Sequence, residues 1–257
     1  MAKVTDRCRE SNGRPVFICD FSPPRGGDPA LLEGARLLNA DFLCVAYNPS
    51  KSVRADSAMV AHAIKQQMGR DVLFTLATRD MNKLAIQSHL LGASLLGLEN
   101  VIVVGGDPFT ERDLTMVRAV NDFRSTELIA AIKSMNRGVD FRGLKLRGTT
   151  DFCVGATVDL GKGIEREARL AQQKAAAGTD FLVTQPVYSV DQVEQFRRSY
   201  DFGAEEGSSC PIFVGLQVLE KGCITFSPVP KDLRQDLERG RSGQDIAMEM
   251  LHGFLER

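Results

Sequence analysis

Seven short apolar runs recur along the chain, and each is rich in valine, isoleucine, leucine or phenylalanine. Every run stops abruptly at a polar loop that carries glycine, proline, a carboxylate or an amide. Such a run is typical of a strand buried on both faces of a parallel sheet. The seven runs lie within residues 16–27, 42–50, 71–80, 101–109, 151–159, 180–188 and 211–219.

Segments with helical periodicity alternate with these runs. The first begins at Asp28, a good N-cap residue, and Pro29 follows at the first helical position. Strands that alternate with helices predict βαβ units and a parallel sheet. The predicted helices occupy residues 28–39, 54–68, 82–97, 125–138, 165–178, 189–200 and 243–257.

The series of βα units predicts an α/β barrel. A doubly wound dinucleotide-binding sheet is disfavoured, because no run is followed by the GxGxxG fingerprint. We predict a single domain over residues 1–257 with a (β/α)8-type TIM barrel fold, and the length is ordinary for that fold. The barrel is predicted to be incomplete at its eighth strand, since only the short segment 223–228 is available for it.

The composition indicates which classes of binding partner and which cellular compartment to expect. Lys plus Arg is 32 and Asp plus Glu is 33, so the chain has no broad positive field for a nucleic acid. No run is long enough for a membrane span, and no signal peptide is visible. Six cysteines form no CxxC pair and the histidines lack ligand spacing, so we expect no metal site and a cytoplasmic location. Three cysteines lie inside strand runs and are expected to be buried thiols, namely Cys19, Cys44 and Cys153.

Three polar residues stand where separate strand runs end, and they are the main candidates for chemistry. Asp20 and Asp107 are carboxylates, and Gln185 offers an amide donor and acceptor. Barrels place their active sites at the carboxyl ends of strands, so we expect the three to converge at one mouth. Each aspartate also has a plain structural explanation, because aspartate commonly caps turns.

Five motifs occur in one order between residues 16 and 219: DFSPPRG, CVAYNPSKSVRADS, TLATRDMN, GLENVIVVGGDP and AAAGTDFLVTQPVY. In this order the motifs resemble the methylenetetrahydrofolate reductase family. The resemblance implies an α/β barrel that reduces methylenetetrahydrofolate to methyltetrahydrofolate through FAD, with NAD(P)H as co-substrate. It also implies a place in one-carbon metabolism and methionine biosynthesis.

The resemblance assigns roles to the strand-end residues. Asp20 stands where the family has a glutamate that is the general acid, and aspartate is one methylene shorter. Asp107 matches the family aspartate that contacts the pterin, and Gln185 matches the glutamine of its Thr-Gln pair. A carboxylate suits the pterin because the aminopyrimidine edge presents two adjacent N–H donors.

The resemblance also implies a flavin site that this chain keeps only in part. The expected FAD contacts are Tyr47, Gly105, Gly106, Thr157 and Lys174, with Lys174 near the phosphates. Several family residues that hold FAD are replaced, so we predict that any flavin is bound loosely. The replacing residues are Ala46, Thr75, Ala77, Gly105 and Thr157.

Two alternatives to a flavin-dependent reductase stay open at this point. One is a flavin-independent, NAD(P)H-dependent reductase of the same folate. The other is a non-catalytic subunit that binds folate or flavin within a complex. A folate is the expected small-molecule partner of either kind of reductase. A homo-oligomer or a partner subunit is compatible with both reductases and with the non-catalytic subunit.

Overall fold

The computed structural model describes residues 1–202, 210–223 and 225–256. The chain divides into two compact units. The first comprises Met1–Ala156 and Ala177–Asp180, and the second comprises Thr157–Ala176 and Phe181–Arg257. The predicted single domain over residues 1–257 stays a prediction.

The first unit alternates strands and helices, as the apolar pattern predicts. Its strands are β1 (Ile18–Phe21), β2 (Phe42–Val45), β3 (Val72–Ala77), β4 (Asn100–Val104) and most of β5 (Cys153–Val158). Its α-helices are α1 (Val4–Glu10), α2 (Ser57–Met68), α3 (Lys83–Leu95) and α4 (Ser125–Asn136). Short 3-10 helices span Pro29–Leu37, Pro49–Lys51 and Asp113–Thr115.

The strands of the first unit pair in parallel and in the order of the chain, β1-β2-β3-β4-β5. A doubly wound sheet would reverse this order at a switch point, and no reversal occurs among these strands. β2, β3 and β4 are almost wholly buried, which explains why their sequences read as continuous apolar runs. Because the strands are parallel, their carboxyl ends lie at one edge of the sheet.

The second unit carries α5 (Ile164–Ala176), β6 (Phe181–Pro186), α6 (Val190–Phe202), β7 (Ile212–Gly215), α7 (Lys231–Glu238) and α8 (Gly243–Leu255). A 3-10 helix spans Leu160–Lys162. β6 and β7 pair in parallel. Segment 223–228, the candidate eighth strand, forms no strand in its described residues, and Ile224 lies outside them.

Several helix ends follow the expected capping chemistry. Asn82 accepts a hydrogen bond from the Ala85 amide at 2.9 Å, which caps α3. α3 stops at Gly97, which adopts a φ of 71° that an L side chain rarely tolerates. Both signals are visible in the sequence, and both predict the observed ends of the helix.

Several elements differ from the sequence prediction, and one of them is α7, which no predicted helix covers. Asp28 caps its helix as expected, but Pro29–Leu37 is a 3-10 helix rather than an α-helix. Leu32 and Ala35, three residues apart, are the buried positions, which matches the three-residue repeat of a 3-10 helix. α1 is not predicted, because only Val4 of its seven residues is buried and no apolar periodicity marks it.

α1 is held instead by a buried amide. Asn100, at the start of β4, is wholly buried. Its Nδ2 donates to the carbonyls of Ala2 at 2.9 Å and Val72 at 3.2 Å, and its Oδ1 accepts from the Val4 amide at 3.1 Å. The amide thereby ties the N-terminal segment to β3 and β4.

Candidate functional site

The carboxyl ends of β1 and β2 place Asp20 beside a thiol. Asp20 and Cys44 are Cα partners in the parallel register, and the Cys44 side chain hydrogen-bonds to the Asp20 carboxyl. Cys44 is buried, as is Cys153, whereas Cys19 is only partly buried. The buried-thiol prediction is therefore confirmed for two of the three strand cysteines.

Asp20 combines exposure with a dense protein surrounding. Its side chain retains solvent-accessible surface, while the protein atoms around the carboxyl desolvate it. Desolvation raises the pKa of Asp20 above its ordinary value, and the hydrogen bond from Cys44 opposes that rise. Because the Asp20 side chain retains solvent-accessible surface, a substrate can reach its carboxyl. A reachable carboxyl with a raised pKa can hold and deliver a proton.

The ends of β2 and β3 carry a buried polar network. Tyr47, which is half-buried, hydrogen-bonds to Asp80, and desolvation together with that carboxylate raises the pKa of Tyr47 to about 12. Asp80 also accepts two hydrogen bonds from Arg79, from Nε at 2.6 Å and Nη2 at 2.7 Å. The Tyr47 hydroxyl, an expected flavin contact, is thus bound to protein in this structure.

Arg79 reaches from β3 to the segment that follows β4. Its Nη1 donates to the Asp107 carbonyl at 2.7 Å, and its guanidinium lies 4.2 Å from the centroid of the Phe109 ring. Asp107 itself is exposed. Asp20 is the penultimate residue of β1, and Asp107 follows β4. Because these strands are parallel members of one sheet, both residues lie at its carboxyl edge.

The two glycines before Asp107 have different structural requirements. Gly106 adopts a φ of 82°, and a Cβ there would lie 3.0 Å from the Arg79 Cβ and 3.4 Å from the Ala77 Cβ. A Cβ at Gly105 would meet nothing within 4 Å, and the residue is exposed. The backbone therefore demands glycine at 106, whereas Gly105 leaves open space beside the strand.

The loop that spans residues 107–124 is tied to the loop after β2. Lys51 donates to Asp113 at 2.8 Å and to the Pro108 carbonyl at 3.4 Å. This ion pair and the hydrogen bonds from Thr110 lower the pKa of Asp113. Ser50 and Lys51 both have a φ of 57°, a left-handed conformation that is costly for residues other than glycine.

In the second unit, Lys174 of α5 is a buried cation. It is 5 % exposed, and its ammonium donates to the Thr157 carbonyl at 2.5 Å. Desolvation lowers the pKa of Lys174, and the buried carboxylate of Glu167 opposes that shift. Because so little of Lys174 is exposed, a phosphate could reach the ammonium only if the surrounding side chains moved.

Gln185 lies in an irregular part of β6. The pairing register of β6 with β7 shifts between Val183 and Pro186, as in a β-bulge. The Thr184 hydroxyl accepts from the Gly215 amide at 2.8 Å, which fixes the backbone beside Gln185. Bulges redirect side chains near functional sites, and Gln185 keeps part of its surface exposed.

The structure thus groups the predicted residues by unit. Asp20, Tyr47, Gly105, Gly106 and Asp107 share the carboxyl edge of the first unit. Thr157, Lys174 and Gln185 belong to the second unit, so the expected convergence of all of them stays a prediction.

Sequence reasoning missed three participants, namely Cys44, Arg79 and Asp80. The only signal for Arg79 and Asp80 was that both are charged and follow a buried strand. Over the described part of the chain, no group of three or more histidine, cysteine or acidic residues is arranged to hold a metal ion. None of the helices in the described ranges is long and apolar enough to cross a membrane.

Comparison with known proteins places this fold in a class. The fold is similar to that of an uncharacterised Clostridium thermocellum protein that binds two copies of 5-methyl-5,6,7,8-tetrahydrofolic acid. The TM-score is 0.67 at 12 % identity, over 98 % of this chain and 88 % of the other. It is also similar to 2,3-dimethylmalate lyase, a member of the PEP mutase/isocitrate lyase superfamily. That TM-score is 0.54 at 14 % identity, over 93 % and 78 % of the two chains.

These similarities and the parallel, sequentially ordered strands define an α/β protein of the TIM-barrel class, which confirms the predicted fold class. Among the described residues the barrel is incomplete, since they form no eighth strand. The family model described as methylenetetrahydrofolate reductase matches residues 3–222. The chain belongs to the methylenetetrahydrofolate reductase family.

Proposed function

We propose that the protein is a folate reductase that interconverts 5,10-methylenetetrahydrofolate and 5-methyltetrahydrofolate with NAD(P)H, through a bound FAD. The observation that carries the proposal is the family match across residues 3–222. The Clostridium thermocellum neighbour, which binds 5-methyltetrahydrofolate, supports a reduced folate as the ligand class.

Asp20 is the proposed general acid. Its raised pKa favours the protonated form, and its exposed surface lets a substrate reach the proton. The proton would pass to the folate nitrogen as the five-membered ring opens. The bonding electrons stay on that nitrogen, and the methylene carbon is left as an iminium that can accept a hydride. Cys44 holds the carboxyl in place through its hydrogen bond.

Asp107 and Gln185 are the proposed pterin contacts. Among the hydrogen bonds and ion pairs of the described residues, none engages the Asp107 carboxylate, so it can accept both N–H groups of an aminopyrimidine edge. Gln185 would add one donor and one acceptor from the bulge of β6. Both residues have the exposed surface that such contacts need.

The residues expected to hold FAD fit it only in part. The open backbone at Gly105 suits the close approach of a flat ring. Gly106 and Tyr47 belong to the same carboxyl edge of the sheet. Flavin bound there would supply the hydride. Lys174 does not fit the phosphate end, because its ammonium is buried on the Thr157 carbonyl. Other groups would have to hold the phosphates.

This mismatch favours one second candidate, a reductase in which hydride passes directly from the nicotinamide to the folate. Ala46 and Ala77 supply no hydrogen-bonding side chain at positions where the family holds its flavin. Lys174 is bound to protein as well. Asp20 and Asp107 keep the same roles in this alternative.

The test is anaerobic turnover of both folates by the purified chain, with NADH or NADPH, before and after addition of FAD. A visible flavin spectrum and FAD-dependent turnover support the proposal. Turnover that FAD does not change supports direct transfer. Absence of turnover under every condition, with folate still bound, would point to the non-catalytic subunit and refute the reductase.

Two variants of Asp20 distinguish loss of the general acid from loss of the folded structure. Asp20→Asn keeps the shape but loses the proton, so turnover should fall by about 100-fold or more. Asp20→Glu restores the family's longer side chain and should retain activity. Asp232→Asn makes the same chemical change at an exposed position on α7 and should have no effect.

A further inference from the structure

The segment after β4 is held by a buried cation that the proposed reaction does not use. Arg79 is only 6 % exposed. A buried guanidinium is strongly unfavourable unless its charge and its N–H groups are satisfied. The partners of Arg79 therefore show what the surrounding structure is built to do.

Each side of the guanidinium is engaged. Nε and Nη2 bind the two carboxylate oxygens of Asp80 at 2.6 and 2.7 Å, in a bidentate pair. Nη1 donates to the Asp107 carbonyl at 2.7 Å. The flat face lies 4.2 Å from the centroid of the Phe109 ring. Gly106 brings the strand close, since a Cβ there would lie 3.0 Å from the Arg79 Cβ.

These contacts hold the backbone of Asp107 while its carboxylate stays outside the ion pair. The bidentate partner of Arg79 is Asp80, and Asp80 also binds the Tyr47 hydroxyl. Asp80 therefore compensates the cation locally. The negative charge of Asp107 is left to face solvent, where a ligand can use it.

We propose that Arg79 and Asp80 form a positioning pair, in which Arg79 fixes the Asp107 segment and Asp80, as the hydrogen-bonded counter-ion of Arg79, leaves the Asp107 carboxylate without a hydrogen bond to the guanidinium. The ligand class is one with adjacent N–H donors, such as an aminopyrimidine ring. That identification rests on the proposed function, whereas the positioning of the segment does not.

The two halves of the proposal predict different variant behaviour. Arg79→Gln removes the fork that holds the segment, so the segment should loosen and folate binding should weaken. Asp80→Asn keeps an oxygen that can accept from Arg79 but removes its counter-charge. The segment should stay fixed, and binding should weaken because Arg79 then pairs with Asp107.

The chain contains no tryptophan, so Phe109→Trp gives a single fluorescent reporter on the segment. Tryptophan keeps the cation–π contact, since it is the strongest aromatic partner of arginine. Acrylamide quenching should rise about twofold or more when Arg79→Gln is added, because the cation–π contact is lost. Quenching should not change with Asp80→Asn or with Arg118→Gln, the same substitution as Arg79→Gln at an exposed site of the loop.

Calorimetric titration with 5-methyltetrahydrofolate, on chains without the reporter, supplies the second readout. We expect about tenfold weaker binding for both Arg79→Gln and Asp80→Asn, and no change for Arg118→Gln. If Arg79→Gln fails to fold, Arg79→Met removes both the cation and the fork and should show the same rise in quenching.

Unchanged quenching in the folded Arg79 variant would overturn the positioning role. Wild-type affinity in Asp80→Asn would overturn the charge-separating role. If the reporter responds as expected but the wild-type chain binds no folate, the proposed function fails and the positioning role stands.

Discussion

Gly105 and Gly106 follow β4, and replacing each in turn with alanine adds one methyl group. The two variants distinguish what the backbone requires from what a bound ligand requires. Gly106→Ala places a Cβ on a residue with a φ of 82°, only 3.0 Å from the Arg79 Cβ. Gly105→Ala makes the same chemical change one residue earlier, with nothing within 4 Å of the new atom. The pair is therefore its own matched control.

The magnitude follows from the backbone and the contact. A left-handed conformation costs a non-glycine residue about 1–2 kcal/mol. Overpacking against the Arg79 Cβ adds about 1 kcal/mol or more. Alanine also restricts the unfolded chain, and this raises the unfolding free energy by about 0.4–1 kcal/mol. Gly106→Ala should therefore lower the unfolding free energy by about 2 kcal/mol, whereas Gly105→Ala should be neutral or slightly stabilising.

The assay is urea unfolding of each variant, followed by titration with FAD. Thermal melts should agree, with a Tm about 4–8 °C lower for Gly106→Ala, since each kcal/mol shifts a chain of this size by about 2–4 °C. If a flat ring approaches Gly105, Gly105→Ala should weaken FAD binding without loss of stability. Equal destabilisation by both substitutions would refute the reasoning from the backbone.

Three further predictions test other parts of the structure. Asp20→Asn should gain stability over the wild type as pH rises above 3.8 and through the raised pKa of Asp20, because the wild type must then ionise a desolvated carboxyl. Urea unfolding across pH measures this, and a pH-independent difference would contradict it. Asn100→Ala should cost about 2–4 kcal/mol, since two buried backbone groups and one partly buried group lose their partner; a loss under about 1 kcal/mol would show that water replaces the amide. Lys174→Met should lower stability by about 1–3 kcal/mol by leaving the Thr157 carbonyl unpaired, without weakening FAD binding. A selective loss of FAD affinity would instead show that Lys174 contacts the flavin phosphates.

Local signals were enough to predict most of the fold. The buried strands of the first unit read as apolar runs because both faces of a parallel sheet are covered, as in β4. Asp28 and Asn82 were recognisable caps because their side chains bond to amides only two or three residues away. The polar residues at the strand ends could be named for the same reason, since the end of a strand is marked in the sequence.

The interactions that organise the site could not be predicted, because they join separate strands. The pairing of Cys44 with Asp20 depends on the register of β1 against β2. The contact of Arg79 with the Asp107 carbonyl depends on how closely β3 and β4 approach, which Gly106 permits. Lys174 is expected near the flavin phosphates, and only the structure shows that its ammonium is buried against the Thr157 carbonyl.

The sequential strand order of the first unit has a consequence for how the protein is made. Each of β2, β3 and β4 pairs with the strand that precedes it in the chain. As the polypeptide leaves the ribosome, every new strand therefore finds its neighbour already synthesised. Strand pairing can therefore proceed from β1 towards β4 during translation. Little apolar strand surface stays exposed until a partner distant in sequence has been synthesised.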